Sequence, residues 1–348
     1  MSIVFVGTYT NNTKSEGIYA FRMDDATGAW TRIPQNIPKI TNPSFLAADK
    51  LNRRLFATSE VTEGQMAALR YDESGALTYL NQQPSMGADP CHVSVTKDKR
   101  YILVANYSSG TFSMLPVNPD GSLRPATDTI HDSGTGPNKA RQEGPHAHSI
   151  NLDASGKLAY GCDLGTDKIQ IFRPNSKTGK LVHNDPAFAT VHAGGGPRHF
   201  AIHPKKPFAY AINELDCTVT AFAWDKVTGA LHALQTITTL PRPHQSSDSC
   251  ADIHVSADGK FLYGSNRGHN SIAIFSIGAD GKLTTVGNES TQGKTPRNFA
   301  IDPSGSFLFA ANQDSDTIVV FRIDKKTGKL TATGTKIEVP APVCIVFG

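Results

Sequence analysis

The sequence predicts an all-β fold, a seven-bladed β-propeller whose blades are four-stranded antiparallel sheets. Three observations predict it. A phrase of roughly 45 to 55 residues recurs along the chain. Each copy is built from short runs rich in Val, Ile, Phe and Tyr, separated by Asp-Gly, Ser-Gly or Thr-Gly. One copy is divided between the two ends of the chain, which is how a ring of blades closes.

In chain order, residues 3–30 carry the later strands of a blade but lack its opening strand. A weaker copy starts near Pro43 and contains "RLFATSE" and "ALRYDESGAL". Clear copies follow from Val93, Asn151, Ala201, His254 and Ala300, each running from an apolar strand through a tight turn to an aromatic or aliphatic run. The last segment, "PAPVCIVFG", is an opening strand without followers. Residues 1–348 are therefore expected to form one domain, with 340–348 completing the blade begun by 2–40. Closure removes the open sheet edges that invite aggregation. A pair of stacked β-sandwiches would have no need of a divided unit.

Composition narrows the function. The net charge is only +3, and the Lys and Arg residues are scattered, so the basic stripe that nucleic acid requires is missing. Five cysteines without a CxxC pair suit a reducing compartment better than a disulfide framework or a zinc site. No apolar stretch is long enough to cross a bilayer. The expected class is a soluble cytoplasmic protein with no membrane partner, and a closed propeller can stand as a monomer. Serine-hydrolase, zincin and P-loop signatures are absent, so no cofactor is expected. The close histidine pairs His146/His148 and His199/His203 lack a third ligand, so no metal is expected either.

Each hairpin returns the chain to the end where it began, so the start of a blade's first strand and the end of its second share one rim. Asn106, Asn213, Asn266 and Asn312 repeat there and read as turn and cap framework. The next position varies as a binding surface does: Tyr9, Glu60, Tyr107, Leu164, Glu214, Arg267 and Gln313. On the opening strand the corresponding row reads Ser44, Cys91, His146, Arg198, Ala251, Arg297 and Val343. Two residues deeper it reads Leu46, Val93, His148, Phe200, Ile253, Phe299 and Ile345. His148 is the one ionisable group of that deeper row. A lone buried histidine is ordinarily a backbone-bonded core residue, but His146, Arg198, Glu214 and Arg267 are expected at the same opening. Arg297 repeats Arg198, which also allows "PR" to be framework. The run "GGGPR" (Gly194 to Arg198) could bring backbone amides near an anion.

The segments "GPRHFAIHP", "AINEL", "CADIHVSADGKFLYGSNR" and "TPRNFAIDPSG" resemble the seven-bladed β-propeller lactonase family. That family includes bacterial 6-phosphogluconolactonases and is related to fungal carboxymuconate lactonizing enzymes. The likeness extends over essentially the whole chain. It implies hydrolysis of an anionic sugar lactone, 6-phosphogluconolactone to 6-phosphogluconate, with His148, Arg198, Glu214 and Arg267 as the catalytic groups. His146, His199 and Arg297 are the expected substrate-binding groups. The loop 127–143, with Lys139 and Arg141, and the second histidine His146 depart from the family pattern. His148 or Glu214 would take the proton of the attacking water, and the guanidinium forks of Arg198 and Arg267 would hold the anionic substituent or the developing oxyanion. Two other functions fit the same fold: a cycloisomerase acting on a carboxymuconate-type lactone, and a non-catalytic propeller that binds a protein through an apolar rim.

Overall fold

The repeats that are continuous in the chain begin with a hairpin, and in several of them side chains close its turn. Asp302 accepts hydrogen bonds from the amides of Ser306 and Phe307 at 2.7 and 2.6 Å. Asp153 and Ser256 close the equivalent turns on the amides of Leu158 and Phe261. Such Asx and Ser turns fix where one strand stops and the next begins. The second hairpin of a blade ends on a glycine. At Gly328 φ is +74°, and a Cβ there would stand 2.4 Å from the ring of Phe261 in the neighbouring blade, so only glycine fits.

The structure, a computed structural model, describes residues 1–348. Its strands form seven antiparallel sheets of four. Blade 1 combines Pro342–Phe347 with Ser2–Thr8, Tyr19–Met23 and Trp30–Ile33, and blades 2 to 7 span residues 46–84, 90–131, 147–190, 197–238, 249–290 and 296–338. The first strand of each blade packs against the first strands of both neighbours, so these seven strands wall a central channel. Ring closure follows the expectation: Pro342–Phe347 pairs with Ser2–Thr8, with Val4 opposite Phe347 and Val6 opposite Ile345.

Apolar residues on both faces of every blade leave the core between blades rather than at the centre. Seven separate clusters fill the seven interfaces, one per neighbouring pair. Tyrosines in the second strands tie adjacent blades through their hydroxyls. Tyr160, Tyr210 and Tyr263 donate to the carbonyls of Gly229, Gly281 and Gly328 at 3.0, 3.0 and 2.9 Å.

The first strands are interrupted near the rim by a β-bulge. In blade 5, Pro197 is opposite Asn213 and His199 is opposite Ile212, which leaves Arg198 as the extra residue. The same slip leaves out Cys91, His148, Arg297 and Val343 in blades 3, 4, 7 and 1. This corrects the register read from the sequence in blade 4. Ala147 stands where blades 3, 5 and 7 have Pro90, Pro197 and Pro296, so His148 is the equivalent of Arg198 and Arg297, not of Phe200 and Phe299. Ile150 fills the phenylalanine row, and His146 precedes the strand.

Phe309 is fully buried in the cluster that joins blades 7 and 1. Phe309→Ala is expected to cost about 3–5 kcal/mol by emptying that interface, read as a lower urea midpoint in a denaturation series.

Candidate active site

A bulge places two residues against one, re-aiming a side chain that regular pleating would turn elsewhere. Here it turns Cys91, His148, Arg198, Arg297 and Val343 into the channel, where with Ser44, Glu60 and His199 they surround a cavity of about 10 Å3. That is room for about one water molecule. Ala251 completes the row, and its carbonyl accepts from Arg198 NH1 at 2.6 Å.

Above this row lie the residues that follow the second strands. Glu214 is the hub. Its Oε2 accepts from Arg198 Nε at 2.8 Å and lies 2.9 Å from Arg267 NH2, while its Oε1 accepts from Arg141 NH2 at 2.6 Å. Burial would raise the Glu214 pKa, but the guanidiniums of Arg267, Arg198 and Arg141 outweigh it and hold the carboxyl well below the usual carboxylate range. Arg198, pressed by burial and by Arg297 and Arg267, is brought down to about 10 and stays charged at neutral pH.

The four predicted catalytic groups therefore meet. They lie deeper than a rim position suggests: side-chain exposure is 2% for Arg198, 6% for Glu214 and 14% for Arg267, against 41% for Arg141. Arg141 and Tyr107 form the outer layer. Arg141 NH2 also donates to the Tyr107 hydroxyl at 3.1 Å, and the Tyr107 ring meets His148 edge-on, with centroids 5.4 Å apart.

His148 is buried, and its pKa falls well below the ordinary histidine value, first through burial and then through Arg198, His199 and Arg297. It is neutral at pH 7. Nδ1 faces the Cys91 sulfur at 3.7 Å, and no protein group bonds to Nε2. The Cys91 thiol, pushed up by burial, stays protonated and has backbone carbonyls of Ala147 and His148 within reach.

The predicted binding groups are divided. Arg297 lines the small cavity and stacks over Tyr9, whose hydroxyl bonds to both oxygens of Glu60 at 2.9 and 3.0 Å; Ser44 also bonds to Glu60. His146 stacks on Tyr107 at 4.6 Å, with its nitrogens engaged by the Tyr107 carbonyl and Glu143. His199 points further down the channel. Its Nδ1 is 2.8 Å from Asp252, burial and Arg198 bring it down to about 4, and it borders a second cavity of about 370 Å3 with His92, His254 and Asn298.

Two contributors escaped the sequence reading. Tyr107 appeared only as one member of the variable row, and Arg141 only as part of an unusual loop. That loop is held by Gln142, fully buried, whose Nε2 donates to the Leu164 carbonyl and to Asp167 at 2.9 and 2.7 Å. Asp167 also accepts from the amides of Gly194 and Gly196 at 2.7 and 2.8 Å. The amides of "GGGPR" do meet an anion, but it is the protein's own carboxylate, and the contact steadies the approach to Arg198. No three His, Cys, Asp or Glu side chains converge in a metal-holding group.

Known proteins share this plan. The sequence profile described as "Lactonase, 7-bladed beta-propeller" matches residues 3–347. A 6-phosphogluconolactonase of Bacillus subtilis is 39% identical over 99% of this chain and 98% of its own, and one from Formosa agariphila is 37% identical over 94% of each. The structure of a periplasmic gluconolactonase, PpgL, of Pseudomonas aeruginosa superposes with a TM-score of 0.92 at 34% identity, covering 99% of this chain and 98% of the other.

Glu214 gives a stability test. Its depressed pKa means that the stabilisation is complete above the unfolded carboxyl value, about 4.3, and is lost as pH falls through the folded value. Glu214→Gln should remove about 3–5 kcal/mol at pH 7, because three buried or half-buried guanidiniums lose their partner. It should also flatten the acid side of the stability–pH curve, measured by thermal melts from pH 3 to 8.

Proposed function

The chain belongs to the seven-bladed β-propeller lactonase family, and we propose that it hydrolyses 6-phosphogluconolactone to 6-phosphogluconate with His148 as the base. It is a lactonase, a carboxylic ester hydrolase. The observation that carries the assignment of the base is the neutral, unpartnered Nε2 of His148 beside Arg198 and Arg297, at a cavity with room for one water. Glu214 is a poor candidate for that role, since a carboxylate faced by three guanidiniums has little affinity for a proton.

In this mechanism Nδ1 of His148 keeps its proton against the Cys91 sulfur, and Nε2 takes a proton from the water. The water oxygen attacks the lactone carbonyl carbon, and the carbonyl oxygen becomes an oxyanion facing the guanidinium of Arg198. Collapse of the tetrahedral adduct breaks the bond to the ring oxygen, which leaves with the proton returned by His148. The products are a free hydroxyl and a carboxylic acid that ionises in water, so each turnover releases one proton. Glu214 is a positioning residue that fixes the guanidiniums of Arg198 and Arg267. The five cysteines are free and buried, which favours a cytoplasmic setting for the reaction.

Proton release on opening of 6-phosphogluconolactone tests this directly. His148→Gln should lower kcat about 100-fold or more, the range of a lost general base; a loss under threefold removes His148 from the role. The folded pKa lies below the ordinary histidine value, and the base must be unprotonated. kcat/KM should therefore stay level through neutral pH and fall only on the acid side, with that fall absent in the variant.

A further inference from the structure

The connection from His131 to Ala147 is the longest of the seven between blades. It carries Arg141 past blade 4 to Glu214 of blade 5. Such a contact needs a reason, because Glu214 already has Arg198 and Arg267 as partners. With Arg141 added, three guanidiniums face one carboxylate, an excess of positive charge that the exposed Glu143 near Arg141 offsets only in part. Arg297, by contrast, is matched by Glu60. A surplus of this kind suits a ligand that brings negative charge, and an unsubstituted sugar lactone brings none.

Arg141 is the member of the group that a ligand can reach. Its NH2 is committed to Glu214 and Tyr107, while NH1 and Nε make no protein hydrogen bond on a side chain that is 41% exposed. That leaves single N–H donors on NH1 and Nε free to reach phosphate oxygens, while NH2, shared by both forked edges of the group, is held by the protein. Both oxygens of Glu214 are already covered, Oε1 by Arg141 and Oε2 by Arg198 and Arg267, so the carboxylate turns no bare edge toward an incoming anion. Tyr107 spaces Arg141 from His148: its hydroxyl bonds to the guanidinium and its ring abuts the imidazole. The buried Gln142 next in sequence holds the loop, so the guanidinium is placed before the ligand arrives.

We propose that Arg141 binds the phosphate of the substrate and sets the preference of this protein for a phosphorylated over an unphosphorylated gluconolactone. The proposal rests on the lactonase reading above and divides the labour between the arginines: Arg141 for the phosphate, Arg198 for the reacting carbonyl, Arg267 as a brace on Glu214. A phosphate monoester carries a charge of about −1.5 to −2 at pH 7, opposite in sign to the excess at the mouth.

The test compares wild type, Arg141→Gln and Arg141→Lys on 6-phosphogluconolactone and on gluconolactone. The ratio of the two kcat/KM values should fall about 10- to 100-fold in Arg141→Gln, the size of a lost charge-assisted contact, and recover in part in Arg141→Lys. Inhibition of gluconolactone opening by inorganic phosphate should weaken in parallel. A ratio unchanged within threefold, with unchanged phosphate inhibition, overturns the proposal. If the wild type opens neither lactone, the lactonase reading is what fails, and calorimetric binding of 6-phosphogluconate to wild type and Arg141→Gln decides the role of Arg141 by itself: equal affinity refutes it, weaker affinity in the variant upholds it.

Discussion

The site depends on keeping a carboxylate charged inside protein. Glu214 is almost fully buried, and an isolated ionised carboxyl there would take up a proton rather than stay charged. Its guanidinium neighbours prevent that, and each comes from a different stretch of chain: the connection between blades 3 and 4, the first strand of blade 5 and the second strand of blade 6. The carboxylate thus links blades 5 and 6 to the connection between blades 3 and 4, which lies two blades away from Arg267. In return it fixes the arginines, whose long side chains would otherwise sample many rotamers.

The bulge is the local device that makes this possible. In an unbroken strand, neighbouring side chains alternate between faces, so only one of Arg198 and His199 would look into the channel. With an extra residue in blade 5, both do. Arg198 is committed to Glu214 and the upper cavity, and His199 to Asp252 and the lower one. Repetition around the ring gives seven equivalent places in which side chains can be exchanged without altering the frame. Ser44, Cys91, His148, Arg198, Ala251, Arg297 and Val343 are what this chain has put there.

Much of this was legible from residues alone. Repeats are copies of one physical solution, so comparing them separates frame from variation; the row Tyr9, Glu60, Tyr107, Glu214 and Arg267 emerged that way and does share one mouth. The slip in blade 4 has a clear origin. "GPH" at 144–146 imitates "GPR" at 196–198, but the longer connection brings its proline two positions early, and Ala147 takes the first place in the strand. His148 was chosen for the wrong reason, as an oddity among phenylalanines, although its true row is the one that bounds the small cavity. Arg141 was unreadable because it belongs to no repeat, and nothing in a loop's sequence states how far it reaches. The network of Asp252 with His199, His254 and Asn298 was equally hidden. It joins blades 5, 6 and 7 through side chains that lie far apart along the chain.

Closure of the ring by Pro342–Phe347 has a consequence for biosynthesis. Ser2–Thr8 is made before the other strands of the ring, yet its inner partner Pro342–Phe347 is made after all of them. Until then blade 1 lacks its inner wall, and the interface it shares with blade 7 has no complete hydrophobic filling. His148, Arg198 and Arg267 are all translated well before that moment, but the circle that confines them is still open. Competence therefore waits on Pro342–Phe347, the strand that closes the circle.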